Sequence, residues 1–141
     1  MIVNQLIKRY QELGCSCKPI KLKNSLRINT LKIDEKEAIS RLKELKVKLT
    51  KIPYTDNGYF YESKFSLAST TEYLQGYIYI QESASQLPAK VLNPTPGEIV
   101  LDMAASPGSK TTQMAAIMNN KGIIIAIDND SRRLLSLRNN L

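Results

Sequence analysis

The stretch EIVLDMAASPGSKTTQMAAIM, Glu98 to Met118, decides how the second half of this chain is read. An apolar run ends in Asp102, passes through Ala104, Ala105, Ser106, Pro107, Gly108 and Ser109, and then takes on helical character from Lys110. A strand, a turn of small residues and a helix in that order form half of a parallel βαβ unit. The next apolar run, Gly122 to Asp128, supplies the second strand, and Asn119, Asn120 and Gly122 mark the end of the helix between them. Both runs are nearly continuous in Val, Ile and Leu, which is the pattern of strands covered on both faces. The final segment, Asp130 to Leu141, reads as a helix with Leu134, Leu135 and Leu137 apolar.

Moving toward the N-terminus, Gly76 to Gln81 alternates Tyr and Ile and reads as a further strand opening this second unit. A helix follows it, with Pro88 near its first turn. Before it lies a different pattern. Asn4 to Leu13 places Leu6, Ile7, Tyr10 and Leu13 on one helical stripe, closed by Gly14. Ser25 to Ile33 alternates like a strand. Asp34 caps a helix with Glu37 three residues on, and Ile33 before the cap is placed to pack on Ala38. Val47 to Ile52 alternates again, Tyr54 to Gly58 turns, and Tyr59 to Ser63 is a short strand. Strand, helix, strand, strand suggests a ferredoxin-like or RNA-recognition-like unit. The aromatic-rich central strand of a true RNA-recognition motif is absent. Two units are expected, residues 1–75 and 76–141.

Charge separates the same two regions. Of the 141 residues, the first 53 hold 13 Lys and Arg against 5 Asp and Glu; the remainder holds 7 against 8. A basic first unit beside a near-neutral second one is where a polyanion would dock. No apolar run is long enough to span a bilayer, and the N-terminal stretch carries internal charges unlike a signal peptide, so a cytoplasmic protein is expected. Cys15 and Cys17 are one residue apart, a poor spacing for a disulfide, and with no His in the chain no metal site is expected.

In an open α/β sheet the ligand sits beyond the carboxyl ends of the strands, at the first strand-to-helix turn. Small residues there let a ligand approach the backbone, and the helix start offers free N–H donors. Asp128, twenty residues after Gly108, ends the second strand, where an acid can accept from both hydroxyls of a ribose. A phosphate-binding NTPase loop needs glycine where this chain has Ala104 and Ser109. A dinucleotide loop needs three glycines and this one has one. An adenosine-bearing cofactor without phosphate tolerates such a loop, and S-adenosylmethionine is that kind of molecule.

LDMAASPGSKTTQMA resembles the first motif of the Sun-family (Nol/Nop/Sun) RNA 5-methylcytosine methyltransferases, most closely at Pro107, Gly108, Lys110, Thr111 and Thr112. IIIAIDNDSRRLLSLRNNL is similar to the family's next motif, YIYIQESASQLPAKVLNPTPGEIVLDM to its run into the first strand, and SLRINTLK to its N-terminal Arg-x-Asn-Thr segment. The blocks follow the family's order over most of Ser25 to Leu141 and are most like the archaeal tRNA-modifying branch. The resemblance implies the first half of a Rossmann-like class I methyltransferase domain behind the ferredoxin-like unit, and transfer of a methyl group from S-adenosylmethionine to carbon 5 of cytosine in RNA, tRNA before rRNA. It implies that Ala104, Ala105, Ser106, Pro107, Gly108, Ser109 and Lys110 wrap the methionine part of the cofactor, that Asp128 holds the ribose with Arg133 beside it, and that Asp102 braces the loop or binds the cofactor through water. It implies that Arg27 and Asn29 help position RNA. Ala104 stands where the family commonly has Cys, and Ser109 where it has a second Gly. The family's Thr-Cys-Ser and Pro-Cys motifs, which carry the nucleophile and release the product, do not occur in these residues, so no catalytic residue is expected here. The expected explanation is a fragment of a larger gene product, or one piece of a split enzyme whose companion chain supplies the rest; the alternative is a non-catalytic RNA-binding accessory chain. A half-built parallel sheet is also expected to expose apolar surface and to associate.

Overall fold

The computed structural model describes residues 2–15 and 22–141. Cys17 lies outside the described residues, and Cys15 is exposed. The chain opens with α1 (Ile2–Glu12), whose end is turned by Gly14 at φ 81°. The stripe read from the sequence is present, but Leu6, Tyr10 and Leu13 on it are exposed.

A four-stranded antiparallel sheet follows. Its elements are β1 (Ser25–Ile28), α2 (Glu35–Glu44), β2 (Lys48–Lys51), β3 (Gly58–Glu62), α3 (Thr71–Leu74) and β4 (Ile78–Ile80). The spatial order is β2-β3-β1-β4. This βαββαβ arrangement is the ferredoxin-like unit that the first half of the sequence suggests. Asp34 caps α2 by accepting from the Lys36 and Glu37 backbone N–H groups at 2.8 and 3.4 Å. Ile33 and Ala38 on either side of the cap join one core with Leu26, Ile28, Leu42, Val47, Tyr59, Leu67 and Ile78. The Glu35 carboxylate, at the start of α2, accepts from the Tyr59 hydroxyl at 2.6 Å and pairs with Lys51, which ties the helix to β2 and β3.

The strand Ile78–Ile80 is where the structure departs from the sequence reading. Instead of opening the second unit, it pairs antiparallel with β1, Leu26 opposite Ile80 and Ile28 opposite Ile78. The reason is packing: Ile78 and Ile80 meet the face that Leu26 and Ile28 already present to α2. Alternation identified the strand without identifying its sheet.

A one-turn 3-10 segment (Ala84–Gln86) leads into α4 (Leu87–Leu92), and then β5 (Ile99–Asp102), α5 (Ser109–Ile117), β6 (Ile123–Ala126) and α6 (Ser131–Asn140). β5 and β6 are parallel, in register from Ile99 opposite Ile123 to Asp102 opposite Ala126. This is the start of a Rossmann-like parallel sheet, with two parallel strands where three were expected. Ala89, Val100, Met114 and Met118 form its small core, between α4, α5 and one face of the sheet. The other face is open: Ile99 is 70% exposed, Leu101 55%, Ile123 56% and Ile125 50%. Strands composed for burial on two faces are therefore covered on one. No helix among the described residues is long and apolar enough to cross a membrane.

Candidate functional site

The loop between β5 and α5 is held from three directions. From within, Asp102 at the end of β5 accepts from the Thr111 hydroxyl at 2.7 Å and from the Ala104 N–H at 3.3 Å. This closes the loop across its own mouth. Gly108 takes φ 107° at the N-cap of α5, in the left-handed region that favours glycine, and its N–H donates to the Ala105 carbonyl at 2.7 Å. A β-carbon there would meet Leu137 at 3.0 Å.

From the second strand, the Asp128 carboxylate accepts from the Ser106 N–H at 3.0 Å and from the Asp130 N–H at 3.1 Å. Arg133, on the first turn of α6, donates to the Ser106 carbonyl at 2.6 Å and lies 3.8 Å from Asp128. The Asp130 amide bond, the Ser106 amide and the Arg133 charge hold the Asp128 carboxyl below its usual range, against an opposing contribution from desolvation. Asn140 at the far end of α6 donates to the Pro107 carbonyl at 2.9 Å.

From the first unit, Tyr79 on β4 donates its hydroxyl to the same Pro107 carbonyl at 3.2 Å. Arg27 on β1 donates through Nη2 to the Thr112 hydroxyl at 2.8 Å, and Thr112 donates in turn to the Gly108 carbonyl at 2.7 Å. Arg27 is 3% exposed, and burial lowers its pKa to about 10, so it remains a cation at neutral pH. Its other contacts are neutral: the Gln81 amide oxygen at 3.4 Å and the face of the Tyr79 ring. Gln81 continues to Gln113, and Gln113 donates to the Gln86 carbonyl at 2.8 Å. A buried polar seam thus joins the first sheet to α5.

The structure brings together Asp102, Ala104 to Lys110, Asp128 and Arg133 around one loop at the carboxyl ends of β5 and β6. It places neither Arg27 nor Asn29 on an open surface. Both are buried, Arg27 in the seam and Asn29 in the turn after β1, where its side chain accepts from the Leu31 N–H at 3.3 Å. Tyr79, Gln81, Gln113 and Asn140 were not singled out in the sequence. The bonds Tyr79–Pro107, Gln81–Gln113, Gln113–Gln86 and Asn140–Pro107 span 27 to 33 positions, and short-range periodicity carries no signal for such pairs.

The loop is suited to a small ligand that bears hydroxyls and a positive charge. Ala104 to Ser109 are small, Ala104 is exposed, and the Ser106 hydroxyl is buried beside the Asp128 carboxylate. The first turn of α5 leaves N–H donors without intrahelical acceptors. Two carboxylates at the strand ends favour a cationic or hydroxylated group and oppose a pyrophosphate.

Comparison with known proteins gives the family and the fold. Residues 2–83 match the family described as the N-terminal domain of 16S rRNA methyltransferase RsmF, and residues 89–141 match 16S rRNA methyltransferase RsmB/F. The chain is 45% identical over 141 residues to the tRNA (cytosine(49)-C(5))-methyltransferase of Pyrococcus abyssi (strain GE5 / Orsay), covering 94% of this chain and 44% of that protein. It is 42% identical over 125 residues to the ribosomal RNA small subunit methyltransferase F of Vibrio cholerae serotype O1 (strain M66-2), covering 85% and 26%. The crystal structure of a methyltransferase homologue protein from Pyrococcus horikoshii superposes with a TM-score of 0.80 at 44% identity, over 88% of this chain and 40% of that one. The chain therefore spans less than half the length of these relatives.

Proposed function

The chain belongs to the 16S rRNA methyltransferase RsmB/F family, and from that premise we propose that it is the RNA-binding and cofactor-binding portion of an S-adenosylmethionine-dependent RNA cytosine C5 methyltransferase. The observation that carries this reading is the pair of carboxylates, Asp102 and Asp128, at the carboxyl ends of two adjacent parallel strands with a small-residue loop strung between them.

When bound, S-adenosylmethionine supplies a methyl group on a sulfonium centre. The residues of this chain bind and orient. The N–H groups at the start of α5 and the Ser106 hydroxyl would receive the methionine carboxylate, and Asp102 would face the methionine ammonium. Asp128 would hold a ribose hydroxyl. A carboxylate offers about four acceptor positions, and the Ser106 and Asp130 amides engage two of them, with Arg133 3.8 Å away as an ion pair. Lys110, Pro107 and Ser109 would form the wall of the loop. We assign no catalytic residue to this chain: Cys15 is exposed in the turn after α1, on the first unit. The polar seam from Arg27 to Gln86 supports a boundary between the units after β4. The open apolar face of β5 and β6 supports a companion segment that covers it.

The names of the relatives support two RNA substrates. We propose tRNA first, on the 45% identity to a tRNA methyltransferase, and small-subunit rRNA second, on the family match.

Calorimetric titration of the chain with S-adenosylmethionine tests the reading. Wild type is expected to bind saturably and Asp128→Ala to bind at least about ten-fold more weakly, which is about 1.4 kcal/mol. NADH should not compete. An Asp128→Ala variant that binds like wild type, or a wild type that binds NADH instead, overturns it.

A further inference from the structure

The outer face of the first sheet is divided in two. On the β1 and β4 side it carries Arg27 and Tyr79, and the seam to α5 covers it. On the β2 and β3 side nothing among the described residues covers it, and a cleft of about 690 Å³ opens there, within the roughly 300–1,000 Å³ typical of ligand clefts. Strand geometry decides what faces it. Tyr59 lies opposite Leu26 and turns into the core, so Phe60, opposite Ser25 and Thr50, turns outward. Lys48 lies two residues before Thr50 on β2. Lys23 lies on the approach to β1, with its ammonium 5.4 Å from the centre of the Phe60 ring. Lys23, Asn24, Lys48 and Thr50 are exposed, and Phe60 is half-buried.

We propose that this half-sheet is a binding site for single-stranded RNA, in which one unpaired base stacks on Phe60 and the flanking phosphates meet Lys23 and Lys48. The proposal deepens the RNA-binding half of the function above and rests on it. Three observations favour single-stranded RNA. Phe60 is a recessed ring on an inner strand of a four-stranded sheet, and such sheets offer aromatic rings to splayed-out bases; a base inside a duplex cannot reach one. The ring face is held by an ammonium group, so its π surface is already occupied by a group that a base would replace and that would then be free to meet a phosphate. The first 53 residues carry a surplus of eight positive charges. Glu62, opposite Lys48 in the β2–β3 register, repels phosphate and closes one end of the basic run.

The experiment is fluorescence anisotropy of the whole chain with a labelled eight-nucleotide oligocytidylate RNA and with a 12-base-pair RNA duplex. Wild type is expected to prefer the single strand. Phe60→Ala should weaken single-strand binding about ten-fold without lowering the melting temperature, and Phe60→Tyr, which keeps the ring, should restore it. Lys48→Ala should flatten the dependence of log affinity on log salt by about 0.7. Binding by Phe60→Ala equal to wild type, or a preference for duplex, overturns the site and leaves the RNA-binding function standing. Failure of wild type to bind either RNA overturns both.

Discussion

Asp128 spends its carboxylate on the loop that lies opposite it, and this has a signed dependence on pH. Its pKa is lowered, so the charged form that accepts from the Ser106 and Asp130 amides is favoured by folding. The loop's order is complete above the ordinary carboxylate range and is lost as pH falls through the lowered value. The Ser106 and Asp130 amide resonances should therefore titrate together with a midpoint below 3.8, the ordinary value for an Asp carboxyl. A midpoint at or above that value would contradict the bonding described. Asp128 was legible in the sequence from its place at the end of an apolar run. Its engagement by the Ser106 amide of the loop and the Asp130 amide of its own turn was not, because nothing in an Asp marks which of its oxygens meets which amide. Arg27 is the converse case. Its segment was recognisable, but the arginine is buried against a threonine 85 positions away instead of standing on an RNA-facing surface.

Secondary elements were largely readable, and their partners less so. The helix Glu35–Glu44 declares itself through its cap and stripe. β4 declares only a strand: three residues of alternation fit any sheet with a free edge, and the choice was made by Ile28 and Leu26. That choice carries Tyr79 to the Pro107 carbonyl and so makes β4 part of the loop's support. The bond from Arg27 to Thr112 does the same for β1 and α5. A double-mutant cycle of Arg27→Gln and Thr112→Val, read by urea unfolding, should give a coupling energy of about 0.5–3 kcal/mol. Additive single effects would mean that the buried guanidinium gains nothing from the hydroxyl. Arg27→Gln alone should cost about 1.5–3 kcal/mol, the range for hydrogen bonds to charged groups, because it strips two neutral partners of a buried donor.

At the scale of the whole molecule, two units of unequal completeness share one chain. The first has a sheet with a core on one face and the second unit over half of the other. The second has two strands whose outer face shows Ile99, Leu101, Ile123 and Ile125 to water. Contiguous apolar surface of this kind marks an interaction face or an association hazard. The chain should bind a dye of exposed apolar surface and self-associate with rising concentration. Leu101→Lys with Ile125→Lys should suppress both while leaving the circular dichroism unchanged. A wild-type chain that stays monomeric without dye binding would contradict this. The two bonds that the first sheet sends to the loop also carry a sense of time. Tyr79 precedes Pro107 by 28 residues, about 1–6 s of synthesis at roughly 5–20 residues per second. The first sheet can close around β4 before the loop has left the ribosome, so the loop emerges beside hydrogen-bond partners that are already fixed. The older half of the nascent chain then acts as the mould on which the younger half sets.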